Sequence, residues 1–270
     1  MLGRDVCRAA AGREVVALSH ADLDITDRAA VDSAVAAARA DVVINCAAWT
    51  DVDGAESAGE EAHAVNAGGA ANVARAAAAA GAHVIHVSSD YVFDGRKQEP
   101  YVESDQVGPL SVYGSSKLAG EQAVAEVAPA AHTIVRSAWL FGTGGRCFPN
   151  TIMGLARERD QLQVVDDQVG SPTFTGHLAD ALIKLSERPV TGIAHVAGGG
   201  SCSWFELACE VVARAQIDCE VVPTTTANMP RPAPRPALSA LVSERGTEVP
   251  RLADWRQGVA DFLSLAVAAR

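Results

Sequence analysis

Short apolar runs alternate along the whole chain with longer, Ala-rich stretches in which apolar residues recur every three or four positions. Runs of roughly four to eight residues without polar alternation fit strands covered on both faces, and the stretches between them fit crossover helices. The pattern predicts strands at Val15–Leu18, Asp41–Ala47, His83–Ser88, His132–Trp139, Leu162–Val165 and Ile193–Val196. It predicts helices over Asp27–Arg39, Gly59–Ala80, Tyr113–Val127, Phe148–Arg159, His177–Glu187, Trp204–Ala215 and Asp254–Ala268, with a shorter helical pattern from Arg4 to Ala11. Two of these starts carry capping-box spacing, Ser57 with Glu60 and Ser203 with Glu206. Strands alternating with helices in this way predict an α/β fold built on a doubly wound parallel sheet.

A length of 270 residues allows one large domain or two small ones. Hydrophobic residues make up 49%, yet no apolar run reaches the roughly 18 residues that suggest a membrane span. The start, MLGRDVCRAA, lacks the charged segment and apolar core of a signal peptide, so a cytoplasmic location is expected. The net charge of −11, with no Lys/Arg stripe, argues against nucleic-acid binding. Six scattered cysteines without CxxC spacing are expected to be reduced thiols, and the seven histidines show no metal-binding spacing. His83, His86 and His195 fall in strand patterns and read as satisfied core or edge residues.

Candidate chemistry concentrates between His83 and Gly120. An apolar strand ends in Ser88-Ser89-Asp90, and Tyr113-Gly114-Ser115-Ser116-Lys117 opens a helix on which Tyr113 and Lys117 share a face. A tyrosine with an ordinary pKa of about 10 is a poor acid at neutral pH. A lysine one turn away stabilises its anion, and a nearby hydroxyl can hold the reacting oxygen. This set suits protonation of a ketone oxygen while hydride reaches the carbon, with no metal required. Y-x-x-x-K alone is a weak signal; its place after a strand ending Ser-Ser-Asp strengthens it.

A dinucleotide-binding sheet opens with a strand and a glycine-rich turn leading into a helix. Here Met1-Leu2-Gly3 runs straight into the first helical pattern. The expected opening strand would be the central one, so an opening segment outside this sequence is expected, and the chain as written is expected to bind a dinucleotide weakly. Gly3 is either the last glycine of that fingerprint or a flexible terminal residue. Ser19 and His20, rather than an acid, end the Val15–Leu18 run, which favours NADPH or dual use over NADH alone. Asp24 either meets the adenine side or caps a helix with Thr26 and Asp27. Ala47 and Ala48 either let a cofactor pass closely or pack tightly, while Thr50 to Asp53 face the substrate side. Asn66 either bridges backbone near the site or faces solvent.

The blocks LDITD, DVVINCAAWTDVDGAE, VSSDYVFDG, YGSSKLAGE, RSAWLFG, DQVGSPT and RPALSAL, in this order, resemble the extended short-chain dehydrogenase/reductases, and within them the dTDP-4-dehydrorhamnose reductase family. The resemblance covers nearly the whole chain. It implies a Rossmann-like NAD(P)-binding domain over 1–150 and, over 151–270, mainly a smaller substrate-binding lobe with segments returning to the first domain. It implies reduction of the 4-keto group of a dTDP-6-deoxyhexose by NADPH or NADH, with Ser89, Tyr113 and Lys117 as the catalytic triad. Ser89 stands where the family usually has Thr. It further implies that Lys117 also holds the nicotinamide ribose, that Ala47, Ala48 and Trp49 line the cofactor with Asp24 and Ile25 at its adenine end, and that Asp90 and Trp139 contact the sugar nucleotide. Trp49 departs from the smaller or different aromatic common there.

Trp139 read alone is either a stacking platform or a core residue. Asp167 to Thr173 reads as a turn, and the resemblance makes it part of the substrate cleft. The Pro-dense stretch Pro230 to Pro236 reads as a stiff linker, with Arg235 a candidate partner for a substrate diphosphate. Gly198-Gly199-Gly200 reads as a turn. The family also implies Mg²⁺ in some members, without a motif that places it here. The chain is expected to be a monomer or homodimer acting on a dTDP-sugar. Alternatives are a related deoxysugar ketoreductase of antibiotic biosynthesis, or a non-catalytic nucleotide-binding relative, which the missing glycine fingerprint favours and the retained triad opposes.

Overall fold

The computed structural model describes the backbone of residues 1–268 and side chains through Leu265. Helix α1 (Leu2–Ala9) is followed by a loop, α2 (Arg28–Ala38) and strand β1 (Val42–Asn45). A helix broken in its middle comes next: α3 (Gly59–His63), a π-helical turn over Ala64–Gly69, and α4 (Ala70–Ala79). Then follow β2 (His83–Ser89), α5 (Val112–Val127), β3 (His132–Ser137), β4 (Leu140–Phe141), α6 (Phe148–Ala156) and β5 (Gln161–Val165). The remainder comprises β6 (Val169–Gly170), β7 (Thr173–Phe174), α7 (Thr175–Glu187), β8 (Gly192–His195), β9 (Cys202–Ser203), α8 (Trp204–Arg214), β10 (Glu220–Thr224) and α9 (Trp255–Ala268).

The main sheet is wholly parallel, in the order β1-β2-β3-β8. Both of its faces are covered. Ile85, Val135 and Ala194 pack with Leu2 and Val6 of α1 and Leu178 and Leu182 of α7. On the other face Val84 and Ile134 pack with Val31 of α2, Val73 and Ala77 of α4 and Val124 of α5. This is a doubly wound, Rossmann-like arrangement, as the alternation of runs predicts. A further core under α6, α8 and α9 gathers Phe141, Ile152, Leu207, Trp255 and Phe262, beside the two-stranded parallel sheet β5–β10.

Three expectations need correction. Val15–Leu18 is not a strand: Val15, Val16 and Leu18 are 46%, 59% and 50% exposed in an extended loop. Among the described residues no strand pairs with the outer edge of β1, so nothing lies there for the run to hydrogen-bond or pack against. The helix expected over Gly59–Ala80 is interrupted by the π turn. The Ser57–Glu60 capping box does not form, because the helix begins one residue later with Ala58 as the N-cap; the Ser57 hydroxyl donates to the Gly54 carbonyl. The box at Ser203 and Glu206 forms in both directions. Strand β10 was not predicted; it carries Pro223, which suits only an edge position.

Candidate active site

The carboxyl end of β2 sits at the middle of the sheet, where open α/β sheets place their ligands. Two consequences of local sequence bring α5 against it. Ser111 caps α5 by accepting from the Gly114 amide at 3.1 Å, fixing where the helix begins. Gly114 and Gly120 then let α5 lie close to the chain beneath, since a Cβ would overlap the Tyr91 carbonyl at one and the Asn66 carbonyl at the other.

The helix thus delivers Tyr113 and Lys117 beside Ser89. Lys117 is buried and donates from Nζ to the Val87 carbonyl at 2.8 Å. Burial pushes its ammonium down to about 8. Tyr113 is partly accessible; desolvation pushes its phenol up to about 12, opposed by a hydrogen bond with the Ser89 side chain. The Tyr91 ring meets Tyr113 edge-on at 5.6 Å. Asp90 is buried, accepts from the Ser89 hydroxyl at 3.0 Å, and is pushed up to about 6 by desolvation, with the Ser239 and Ser89 hydroxyls opposing. Its Oδ2 makes no hydrogen bond among the described residues, which leaves a carboxylate oxygen for a ligand hydroxyl.

The loop after β1 is held over this point by Asn66. Its Oδ1 accepts from the Trp49 amide at 2.8 Å, and its Nδ2 donates to the Trp49 carbonyl at 3.2 Å and to Ser116 Oγ at 2.9 Å. Asn66 therefore bridges backbone and is buried, and the π turn is what aims it inward. Ala47 and Ala48 precede this junction, with the Ala47 amide donating to Asn45 Oδ1 at 3.0 Å.

From the far side, the Pro-dense stretch reaches the same loop. Asp53 accepts from Arg235 Nη1 at 2.8 Å, from Arg231 Nε at 2.9 Å and from the Ala233 amide at 3.2 Å. These contacts, led by the Arg235 hydrogen bond, hold the Asp53 carboxyl far below the usual carboxylate range. Arg235 also stands beside Tyr91, so it belongs to the same neighbourhood as the triad.

Trp139, after β3, adopts φ +48°, a costly backbone for a bulky side chain. Its indole stacks on that of Trp204 with centroids 3.4 Å apart and planes within 2°, and lies against Gly170. One ring face is therefore occupied within the chain. Trp204 was not foreseen as a site residue; its only signal was its place directly after the capping serine.

The other candidates make contacts of their own. Asp24 is exposed and accepts from the Thr26 amide at 2.9 Å, while Asp27 caps α2. Ile25 is buried against Gly69 of the π turn. Gly3 lies inside α1 with only ordinary contact to Cys46, so no close approach requires a glycine there. The Gly198–Gly200 turn packs on Pro172 and Asp254. His86 and His195 are buried, but each leaves Nε2 without a partner among the described residues, so these two are not fully satisfied. Among the described residues no group of three or more His, Cys, Asp or Glu could hold a metal ion, the cysteines are free, and no helix is long and apolar enough to cross a membrane.

Comparison with known proteins identifies the family. The model of the RmlD substrate binding domain matches residues 1–267. A dTDP-4-dehydrorhamnose reductase of Mycolicibacterium smegmatis is 44% identical over 277 aligned positions, covering 100% of this chain and 84% of the relative. A probable dTDP-4,6-dihydroxy-2-methyloxan-3-one 4-ketoreductase of Streptomyces antibioticus is 42% identical, covering 100% of this chain and 93% of the relative. The solved structure of dTDP-4-dehydrorhamnose reductase from Bacillus anthracis, in complex with NADP, superposes with a TM-score of 0.94 at 35% identity, covering 98% of this chain and 95% of that one. With a parallel sheet, a tyrosine–lysine helix packed on a strand ending in hydroxyls, and likeness along its whole length, this chain belongs to the RmlD family of dTDP-4-dehydrorhamnose reductases.

Proposed function

We propose that the chain reduces the C4 ketone of dTDP-4-dehydro-L-rhamnose to the alcohol of dTDP-L-rhamnose, using NADPH or NADH. The observation that carries this reading is the convergence of Ser89, Tyr113 and Lys117 at the end of β2. The residues present fit a nicotinamide at its reacting end, where a buried ammonium and a phenol stand beside strand ends lined by Ala47 and Ala48. At the diphosphate end stands the start of α1, at Leu2 with Met1 as N-cap. A reduced nicotinamide supplies the hydride.

The protein's share is the proton. Tyr113 is neutral at pH 7, as an ordinary phenol is, and desolvation raises its pKa further, so it holds the proton that the developing alkoxide takes. The phenolate left behind is stabilised by the Lys117 ammonium one turn away, and the Ser89 hydroxyl hydrogen-bonds the reacting oxygen. Asp90, with its free Oδ2, and Trp139 lie on the sugar side, and Arg235 on the diphosphate side. Residues 151–270 mainly form the lobe that receives the sugar nucleotide. A second reading, reduction of a related 4-keto-6-deoxyhexose, is supported by the full-length similarity to the S. antibioticus ketoreductase. Loss of NADPH absorbance with each ketone in turn separates the two. Tyr113→Phe should lower turnover on the order of 10²-fold or more; wild-type turnover in that variant would remove Tyr113 as proton donor.

A further inference from the structure

Three successive residues of β2 grip the same helix. The Val87 carbonyl holds Lys117, the Ser88 hydroxyl donates to Glu121 Oε1 at 2.6 Å, and Ser89 reaches Tyr113. Opposite Ser88 in the sheet register stands Arg136 of β3. Its guanidinium forks onto the same carboxylate, Nε to Oε1 at 2.9 Å and Nη2 to Oε2 at 2.7 Å, over the Phe93 ring at 5.1 Å. The two side chains are 2% and 4% exposed, so this is a buried ion pair in the middle of the fold.

Such a pair is weak support for stability. Apolar residues of similar volume in its place are often neutral or stabilising, because desolvation offsets the attraction. Its placement instead answers a need of Lys117. Glu121 follows Lys117 by one helical turn on the same face. Burial pushes the ammonium toward its neutral form, and an uncharged lysine cannot stabilise a phenolate. Around Lys117 stand Tyr113 and Glu121 on its own helix, Cys46 after β1, His86 on β2, Arg136 behind Glu121, and Asp90 in the following turn. Glu56, which accepts from the Val112 amide at 2.9 Å, flanks the start of the helix. Cys46 is held as a thiol and His86 as a neutral ring by burial. Glu121 is the foremost charge favouring the ammonium.

We propose that Glu121, fixed by the Arg136 fork and the Ser88 hydroxyl, is a positioning residue: its carboxylate is the counter-charge that keeps Lys117 an ammonium and holds the helix in register with the Ser89 strand. The inference rests on Lys117 acting as proposed above, and it can be tested without substrate. The chain contains three lysines, Lys97, Lys117 and Lys184. In protein labelled with ¹³C at lysine Cε, each gives one titrating NMR signal, assigned with Lys97→Arg and Lys184→Arg. In Glu121→Gln the Lys117 midpoint should fall by about one pH unit or more, the size expected for loss of a close opposite charge, while Lys97 and Lys184 stay in place. A Lys117 midpoint that does not move overturns the inference.

If Glu121→Gln fails to fold because Arg136 is left unpaired, the double variant Glu121→Leu, Arg136→Met removes both charges together, and the Lys117 midpoint should still fall, though by less, because the repulsive guanidinium behind Glu121 goes with the carboxylate. Unchanged titration there likewise overturns the inference. The basic limb of the pH–rate profile for NADPH-dependent reduction should move down with the NMR midpoint. A moved midpoint with an unmoved limb upholds Glu121 as counter-charge and instead removes Lys117 from the catalytic step.

Discussion

Adding one methyl group at position 114 asks whether the register of α5 against the Ser89 turn governs turnover. A Cβ on Gly114 would overlap the Tyr91 carbonyl oxygen and stand 3.2 Å from its carbon and 3.0 Å from Pro109 Cβ. Carbon atoms pack best at roughly 3.5–4.0 Å. Relief at Pro109 alone therefore needs a retreat of about 0.5–1 Å, and the Tyr91 oxygen demands more. Overpacking of this kind costs about 1–3 kcal/mol, while Gly→Ala inside a helix returns roughly 0.8–1.0 kcal/mol. The net loss of stability is about 0–2 kcal/mol, or a fall in Tm of up to about 8 °C. The segment that must yield carries Ser89 and Asp90, and Tyr113 adjoins the substitution. A 1 Å misplacement of reacting groups can cost about 10²-fold in rate, so Gly114→Ala should fold, melt slightly lower, and lose about one to two orders of magnitude in kcat. Gly154→Ala is the control: that position lies inside α6 with nothing within 4 Å of a Cβ. It should gain about 0.5–1 kcal/mol and keep its rate. A folded Gly114→Ala protein that retains the parent kcat would refute the argument that this contact fixes the geometry.

Two further outcomes follow from burial and exposure. The Lys117 ammonium is the form present below its pKa of about 8, so the rate of reduction should be level at neutral pH and fall as pH rises through about 8; a profile flat to pH 10 would contradict this. Val16 is 59% exposed, so Val16→Ser should change the urea unfolding free energy by less than about 0.5 kcal/mol. A loss of about 1.5–3 kcal/mol, as for a fully buried valine, would show that this segment pairs in the sheet after all.

The sheet, the helices on its faces and the meeting of Tyr113 with Lys117 were readable because each depends on short-range regularity. Strands buried on both faces are largely apolar, and residues four apart on a helix must share a face. What stayed hidden depends on distant partners. The Glu121–Arg136 fork joins residues fifteen apart whose meeting is decided by the pairing of β2 with β3. Asp53 and Arg235 are separated by 182 positions, and only the return of the Pro-dense stretch brings them together. Asn66 sits in an Ala-rich helical pattern that reads equally well for a solvent-facing residue; the π turn that turns it inward has no compositional mark. The Ser57–Glu60 spacing suits a cap, yet the helix begins one residue later, with Ala58 as its N-cap.

The Val15–Leu18 run shows why an apolar pattern is not by itself a strand. Val42, Val43 and Ile44 on β1 are half-buried because only β2 flanks them, and the outer backbone groups of β1 face no strand among the described residues. A strand beyond β1 would have to be built on that edge first; Val15–Leu18 would then be a second neighbour, one place further out. Without the intermediate strand, ordering the run would fix backbone at about 1–2 kcal/mol per residue for no ladder hydrogen bonds and little burial, so the segment stays extended and exposed. The edge that β1 presents is also the side on which Ala47, Ala48 and the start of α1 lie. Ser89, Tyr113 and Lys117 instead rest on β2, an inner strand flanked by β1 and β3, and on α5 packed against it. The order of Ser89, Tyr113 and Lys117 is therefore set by the interior of the fold.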